Sequence, residues 1–395
     1  MIFIKVRINV KWEQHKLDAL AKFSKGKGYS KKDVTFQGYP LFLYGRLYTN
    51  YSEVVSDVDT YTSNLLEGSA VSNADEVVLP DSGETAEDIA RASWINKKGI
   101  ILGGGLLIIH PDKYLINSGF LSYSLSYGSN HKKLSSYAQG KSIVHIHSND
   151  LKKLYIFYPS RFNEQSKIFN ILNYLENLIT LQQRKLNQLK RLKTAMLQQL
   201  LANQSFPKVR FNNFKNSWKD YRLGEVFDEF SVKSKRENEY KLLSSTTSGM
   251  ESRSGRVSGH SNIGYKVIDN GDIVLSPQNL WLGNINLNNM GKGIVSPSYH
   301  TFKIVNANPI FVNFQLKTKK MLFEYKMVSV QGASVVRRNL DMDAFKKIVI
   351  KIPNEKEQIK IASLFSSISN IINNHQNKLT QLTTLKKYLL QKMFI

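Results

Sequence analysis

Residues 162–201 read FNEQSKIFNILNYLENLITLQQRKLNQLKRLKTAMLQQLL and contain neither proline nor glycine. Apolar residues recur in this stretch at alternating spacings of four and three, a narrow seam typical of a coiled coil rather than of a broadly buried helix. About 40 residues of helix are roughly 60 Å long, so the pattern predicts a helix that needs a partner along its length. The apolar seam positions are Leu175, Ile179, Leu186, Leu189 and Met196, and the polar ones are Gln182 and Lys193.

The partner lies in the same chain, because a shift of 193 positions aligns residues 164–200 with residues 357–393 without a gap. Glutamine and lysine identities repeat in register as well as the hydrophobic period, which two unrelated amphipathic helices would not share. The sequence therefore predicts an internal repeat. The second seam consists of Ile368, Ile372, Leu379, Leu382 and Leu389, with His375 and Lys386 at its polar positions.

The repeat extends upstream of each helix. Strand-like runs ending in proline, residues 154–159 and 348–353, precede the two helices, and Trp12 and Leu17 match Trp218 and Leu223 at the two starts. The predicted fold class is α+β, with two mixed α/β domains separated by two long helices. The predicted boundaries are 1–160 for the first domain, 161–203 for the central helix, 204–353 for the second domain and 354–395 for the C-terminal helix.

The connections also predict how the helices pack. Parallel packing would require a long segment that returns the chain along the rod, and the sequence has no such linker. We therefore expect an antiparallel coiled coil with one domain at each end and a pseudo-twofold relation between the repeats.

Charge is the strongest signal in the composition. The 395 residues include 55 Lys and Arg against 31 Asp and Glu, a formal net charge of +24, which indicates a polyanionic partner. The absence of cysteine favours a reducing cytoplasm. No apolar run reaches 18 residues, so no membrane span is predicted, and the alternation of apolar residues in Ile2–Val10 predicts a strand.

Several segments inside the domains have recognisable patterns. Residues 25–33 are a basic turn suited to phosphate contact, and residues 39–48 are predicted to be a hydrophobic strand. Residues 102–109 are predicted to be a glycine turn that leads into a buried strand. Residues 271–275 repeat the predicted strand at residues 75–79, but the stretches between the shared starts and ends differ almost completely. Duplicated frames with dissimilar loops are expected of two modules that recognise two different things.

Motifs for catalysis are absent from the sequence. It has no Gly-x-x-x-x-Gly-Lys-Ser/Thr phosphate loop, no paired prolines of an amino-methyltransferase motif, and no Glu-x-Lys at a nuclease spacing after Pro80-Asp81. His145 and His147 alternate along a predicted strand with no third ligand at a metal spacing. The sequence therefore predicts a non-catalytic chain that binds neither cofactor nor metal itself.

The whole arrangement resembles the specificity subunit of a type I restriction-modification enzyme, in which two variable target-recognition domains are each followed by a long conserved helix. The resemblance covers essentially the whole chain, although the first domain begins almost at Met1, so its leading strand is expected to be shorter than in relatives. The features that match are the Trp12 and Trp218 starts, the Gln-Gly-x-Ser segments at 139–142 and 331–334, the Pro–Glu-Gln sequences that begin both helices, and the repeated Gln-x-Lys-Leu-x-Gln-Leu pattern.

The resemblance implies a DNA sequence-specificity subunit in which each domain recognises one half of a bipartite, asymmetric site in double-stranded DNA. The helices would set the spacer and dock two modification subunits, and through them two restriction subunits. S-adenosylmethionine, ATP and Mg²⁺ would then be bound by partner subunits. Two alternatives remain at this point: a basic coiled-coil protein that binds nucleic acid without sequence preference, and a solitary scaffold without partners.

Residues that contact DNA are expected in the divergent loops, because the shared frame cannot distinguish two targets. Arginine suits guanine, and asparagine or glutamine suits adenine, whereas lysine suits phosphate. On this basis the base-reading candidates are Arg46, Asn50, Arg91, Arg253, Arg256, Gln278 and Asn279, and the phosphate-binding candidates are Lys27, Lys32 and Lys292.

Overall fold

The computed structural model describes residues 11–253, 261–331 and 338–394. The chain forms two compact units. Unit 1 takes in the chain as far as Gln183 and again from Lys378, and unit 2 spans Arg184–Asn377. Each unit therefore combines a globular part with the start of one long helix and the end of the other.

The globular part of unit 1 is a mixed α/β structure. Its strands are β1 (Trp12–Lys16), β2 (Ala21–Lys25), β3 (Tyr39–Phe42), β4 (Val54–Val55), β5 (Tyr61–Thr62), β6 (Val71–Asn73), β7 (Val77–Pro80), β8 (Ser82–Gly83), β9 (Ser93–Ile95), β10 (Lys98–Leu102), β11 (Leu106–Pro111), β12 (Val144–His145) and β13 (Tyr155–Pro159). Its helices are α1 (Arg46–Thr49), α2 (Ala86–Ile89), α3 (Ser118–Ser126), α4 (Gly128–Ser135) and α5 (Ser148–Lys153), after which the long helix α6 (Phe162–Leu200) begins.

Unit 2 is also a mixed α/β structure. Its strands are β14 (Lys219–Arg222), β15 (Phe227–Phe230), β16 (Lys241–Ser245), β17 (Met250–Ser252), β18 (Lys266–Ile268), β19 (Ile273–Leu275), β20 (Ile285–Leu287), β21 (Gly293–Val295), β22 (His300–Ile304), β23 (Ser329–Gln331), β24 (Arg338–Leu340) and β25 (Val349–Ile352). Its helices are α7 (Leu223–Val226), α8 (Pro309–Gln315), α9 (Lys319–Met327) and α10 (Met342–Lys347), followed by the second long helix, α11 (Glu355–Met393).

The two units share one sheet topology, except that unit 1 has an additional edge strand, β4, which pairs with β9. Unit 1 has sheets of order β5-β3-β10-β6 and β2-β11-β7-β9-β4, and unit 2 has sheets of order β17-β16-β21-β18 and β15-β22-β19-β20. The pairs β3–β10 and β16–β21 are parallel, and the other corresponding pairs are antiparallel. The antiparallel pairs β1–β13 and β14–β25 close the units at equivalent places. The predicted internal repeat is thus confirmed by strand order, although most loops differ in sequence.

The long helices run antiparallel, as predicted, because each unit holds the first turns of one and the last turns of the other. In unit 1, Ile168 and Leu172 of α6 and Leu390 of α11 belong to the hydrophobic core that also includes the β7–β11 sheet. In unit 2, Ile361 and Phe365 of α11 belong to the corresponding core. Each globular part is therefore fused to its helices by shared apolar packing, which is the principal stabilising term.

One repeated glutamine explains why the starts of both long helices match in sequence. The buried amide of Gln165 donates to the carbonyl of Pro159 (3.0 Å) and accepts from the backbone N–H of Asn117 (2.8 Å). Gln358 donates to Pro353 (2.9 Å) and accepts from Asn308 (2.7 Å) in the same way. Asn117 and Asn308 cap α3 and α8, so this glutamine ties the strand end, a capped helix and the long helix together.

The structure confirms the strands predicted before each long helix, after the glycine turn and at the 75–79 and 271–275 repeat. The prediction of one strand over residues 39–48 is wrong, because the chain turns after β3 and continues as α1. The strand predicted at Ile2–Val10 lies outside the described residues. Of the helices that the structure describes, none is both long enough and apolar enough to cross a membrane.

Candidate nucleic-acid interface

The loops next to β3 in unit 1 enclose a cleft of about 1080 Å³. Three residues that the sequence singled out for DNA contact, Lys32, Arg46 and Asn50, line it together. Lys31 and Tyr44 lie beside them in the same lining. The cleft is therefore concave and basic, and it is partly lined by an aromatic ring. A surface of this kind is expected of a nucleic-acid interface.

A capped turn fixes the lysine side of the cleft. The Asp33 carboxylate accepts from the backbone N–H of Ser30 (2.6 Å), and the Ser30 hydroxyl accepts from the N–H of Lys32 (3.4 Å). The hydrogen bond from the Ser30 N–H holds the pKa of Asp33 below its usual range. Lys31 and Lys32 are exposed on this turn, so both cations face solvent from a fixed backbone.

Arg46 lies in the cleft but is already engaged. Its half-buried guanidinium pairs with Asp59, and a second nitrogen donates to the carbonyl of Asp57 (3.4 Å). The Asp57 carboxylate accepts from Lys97 (2.8 Å), which keeps its pKa low. A base contact by Arg46 would therefore require the pair with Asp59 to open.

The remaining candidates of unit 1 are placed differently. Lys27 is exposed beside the cleft, and its backbone N–H donates to Leu102 (3.3 Å). Arg91 does not line the cleft: it pairs with Asp88, and its guanidinium carbon lies 5.7 Å from the centre of the Tyr51 ring. This position favours a structural role for Arg91.

In unit 2 the candidates are spread over several loops. The ammonium of Lys292 lies 4.8 Å from the centre of the Tyr240 ring and 3.9 Å from Asp269. Arg253 is exposed directly after β17, and Gln278 is exposed next to the half-buried Asn279. Arg256 lies outside the described residues. The described candidates of unit 2 thus lie on separate loops, apart from the neighbours Gln278 and Asn279.

Three basic residues of unit 2, in two places, were missed by sequence reasoning. The loop before β16 exposes Lys235 and Arg236, whose backbone N–H groups both donate to Glu239 (2.6 and 3.3 Å). Because β16 is the counterpart of β3, this loop corresponds to the Lys31–Lys32 turn of unit 1. The sequence signal that could have identified it is the shared pattern of two basic residues followed by an acidic one. Arg338 is the other position: its backbone N–H donates to Gln278 (3.2 Å), and its guanidinium carbon lies 5.9 Å from the Trp281 ring centre.

The seam positions lie on the less exposed side of both helices. Leu175, Leu186, Ile368 and Leu379 are buried, and the other six are half-buried: Ile179, Leu189, Met196, Ile372, Leu382 and Leu389. A helix flank with this alternation of burial is what coiled-coil packing requires.

The repeated polar seam position has opposite surroundings in the two units. In unit 1, Lys386 donates to Glu53 (3.0 Å) and Glu176 (2.6 Å), and Glu53, which is 4% exposed, also accepts from the Tyr127 hydroxyl. Burial alone would lower the pKa of Lys386, but the charges of Glu53 and Glu176 and their hydrogen bonds raise it above its usual value.

In unit 2, Lys193 occupies the equivalent position and donates to the Ser369 hydroxyl (2.8 Å), and Ser369 is the counterpart of Glu176. Burial lowers the pKa of Lys193. Lys317, which donates to the side-chain oxygen of Asn286, has its pKa lowered to about 8 by burial and by the charge of Lys193. One repeat thus neutralises its seam lysine with carboxylates, whereas the other holds two half-buried lysines on neutral oxygens.

Ser24, His110 and Glu76 lie near one another in unit 1 but do not form a connected hydrogen-bonded triad. Ser24 Oγ lies 2.7 Å from His110 Nε2, but His110 Nδ1 is 3.9 Å from Glu76, beyond hydrogen-bond distance, and the Glu76 carboxylate accepts backbone N–H groups instead. Ser24 and His110 are exposed and do not line the cleft. Across the described ranges no three His, Cys, Asp or Glu side chains are close enough together to hold a metal ion.

Two units of one topology, each fused to an antiparallel pair of helices, define an internally duplicated α+β protein. The chain belongs to the family described as type I restriction modification DNA specificity domain, which matches residues 9–191 and 215–384. These two matches cover both copies of the repeat.

Individual relatives are more distant. The MjaVIII type I restriction enzyme specificity subunit of Methanocaldococcus jannaschii is 24% identical over 229 residues, which are 56% of this chain and 51% of the relative, about half its length. The putative MjaX specificity subunit of the same organism is 24% identical over 307 residues, 73% of this chain and 70% of the relative. The crystal structure of a type I restriction-modification S subunit from M. genitalium superimposes with a TM-score of 0.64 at 17% identity and covers 99% of this chain and 98% of that one. At this identity the likeness shows the fold alone.

Proposed function

We propose that this chain is the DNA sequence-specificity subunit of a type I restriction-modification complex, and that each unit reads one half of a bipartite, asymmetric site in double-stranded DNA. The observation that carries the proposal is the pairing of one strand topology with different loops in the two units. The two units have the same fold, so a difference between their DNA targets must come from the loops. The net charge of +24 supports a phosphate backbone as the partner.

The division of labour follows from the elements. Residues 1–160 and 204–353 are the proposed target-recognition domains, and the helices in 161–203 and 354–395 set the spacer and dock two modification subunits. Two restriction subunits join the complex through the modification subunits. The chain itself acts in the cytoplasm without catalysis, and S-adenosylmethionine, ATP and Mg²⁺ are bound by the partner subunits.

Within unit 1 the cleft supplies two kinds of contact. Lys31 and Lys32, which are exposed on a capped turn, suit phosphates, while Asn50 presents an amide in the same lining and suits a base edge. In unit 2, Lys235, Arg236 and Lys292 are the proposed phosphate contacts. Arg253, Gln278 and Asn279 are the proposed base contacts, and Arg256 belongs with them by sequence.

Selection of duplexes from a randomised DNA library by the purified full chain tests this function. We expect enrichment of two short motifs separated by an unread spacer. The enriched duplex should bind at least about 10³-fold more tightly than random DNA at the same salt concentration. Equal affinity for both duplexes would favour the basic coiled-coil protein without sequence preference.

A further inference from the structure

Phe36 is the feature of unit 1 that the cleft residues leave unexplained. Its side chain has a relative exposure of 103%, higher than that of any other large hydrophobic side chain in the described part of the chain. Burying a phenylalanine is worth about 1.5–3 kcal/mol, so folding leaves this gain unused.

The backbone around Phe36 is held on both sides. Thr35 donates its N–H to the carbonyl of Tyr61 (2.8 Å) and its hydroxyl to the carbonyl of Gln37 (2.9 Å). Gly38 follows with a φ of +135°, and a Cβ there would lie 2.2 Å from the carbonyl oxygen of Thr62, so glycine is required. The turn is therefore pinned to β5, and the ring projects from a fixed base.

The surroundings of this turn are those of a nucleic-acid surface. Val34, two residues before Phe36, lines the cleft together with Lys31 and Lys32, and so does Thr60, which is next to Tyr61. The projecting ring therefore stands at the edge of a surface whose cations suit phosphates. A pinned aromatic beside phosphate-binding lysines fits stacked bases better than it fits water.

We propose that Phe36 is a stacking wedge that inserts between two adjacent base pairs of duplex DNA in the half-site read by unit 1. The inference rests on the proposed function and adds to it a defined unstacking of one base step. Lys31 and Lys32 hold the flanking phosphates and position the ring, while the ring replaces base–base stacking with aromatic contact. The half-site should therefore contain an easily unstacked step, such as a pyrimidine–purine step.

The test uses the full chain and the duplex enriched by selection, with 2-aminopurine placed in turn at each position of the unit 1 half-site. Wild-type protein should raise 2-aminopurine fluorescence at one step, and Phe36→Ala should abolish the rise and weaken binding by about 5- to 150-fold. Phe36→Trp should restore both. Because the side chain is exposed, neither variant should change the melting temperature.

Two controls separate stacking from other effects. Tyr114→Ala removes another aromatic of unit 1 that is 80% exposed, and it should leave fluorescence and affinity unchanged. Lys32→Ala should lower the slope of log K against log salt by about 0.9, whereas Phe36→Ala should leave this slope unchanged.

Equal affinity and equal fluorescence for wild type and Phe36→Ala would overturn the wedge and leave the proposed function standing. Failure of the selection to enrich any sequence would instead contradict the proposed function. In that event the wedge is measured on a random-sequence duplex at low salt, where equal binding of wild type and Phe36→Ala overturns it. Loss of complex formation with a protein subunit, with DNA binding intact, would also overturn it and would make the ring a protein contact.

Discussion

Replacing each of the two repeat-equivalent lysines with methionine should cost very different amounts of stability. Lys386→Met leaves Glu53 buried without its cation, and breaking a buried ion pair by removing one partner costs about 3–5 kcal/mol. The lower end of this range applies, because Tyr127 still donates to Glu53, and because the side chain of Glu176 is 32% exposed and can be solvated. We therefore expect unit 1 to lose about 3 kcal/mol, which corresponds to a roughly 150-fold increase in local opening.

Lys193→Met removes a half-buried ammonium whose acceptor is the Ser369 hydroxyl. The lost hydrogen bond costs about 1 kcal/mol, while burial of the charge is relieved and the methionine retains most of the apolar stem. The net change should stay within about 1 kcal/mol and can favour the variant. The same substitution at two equivalent positions thus distinguishes a neutralised charge from an uncompensated one.

Hydrogen exchange measured by mass spectrometry resolves the two units. Peptides from β9 and α3 report on unit 1, and peptides from β19 and α8 report on unit 2. The double variant Lys386→Met with Glu53→Gln should recover most of the loss, because the buried carboxylate is then neutral. Unchanged exchange in unit 1 for Lys386→Met, or an equal loss for Lys193→Met, would refute the reasoning.

Three further outcomes are expected. The pKa of Lys317 is about 8 in the folded chain, against an ordinary value of 10.5. Between these pH values the unfolded chain binds more protons than the folded chain does. The free energy of unfolding should therefore rise with pH, by roughly 3 kcal/mol from this lysine. Urea titrations from pH 7 to 11 should show this rise in wild type and in the exposed control Lys320→Met. In Lys317→Met the rise should be smaller by about this amount but not absent, because Lys193 and Lys266 also have lowered pKa values. A flat wild-type profile would disprove the assignment. Leu186→Asp places a charge at a side chain that is 1% exposed, so it should cost several kcal/mol of stability and abolish assembly with modification subunits. The control Leu192→Asp, at a position that is 51% exposed on the same helix, should be tolerated. Scattering and pull-down measurements compare the two variants. Purified chain incubated with S-adenosylmethionine and duplex DNA should transfer no methyl group, and transfer without a partner subunit would contradict the non-catalytic assignment.

The predictable parts of the fold are those in which the two halves of the sequence repeat each other. The matched Glu-Gln pairs at residues 164–165 and 357–358 indicated a repeat, and the structure gives the physical reason in the pinning glutamines Gln165 and Gln358. The antiparallel helices followed from connection length alone. The strands before the two long helices could be predicted because each apolar run ends at a proline, which is typical of a strand end.

The parts that failed depend on contacts distant in sequence or on local turns. Residues 39–48 are apolar enough for a strand, yet the chain turns after Phe42, and Arg46 begins a helix instead. Glu53 and Lys386 are more than 300 positions apart, so no local pattern could indicate their pairing. The side chain of Arg46 looked available for a base because its partner Asp59 is brought to it only by folding.

The most direct test of the central claim exchanges residues 206–353 for the same region of a relative with a different target. The hybrid is then assembled with modification subunits, and the methylated sequence is read from the DNA. If each unit reads one half-site, one half of the bipartite sequence changes to that of the relative and the other half stays as it was. A change in both halves, or in neither, would contradict the assignment of one unit to one half-site.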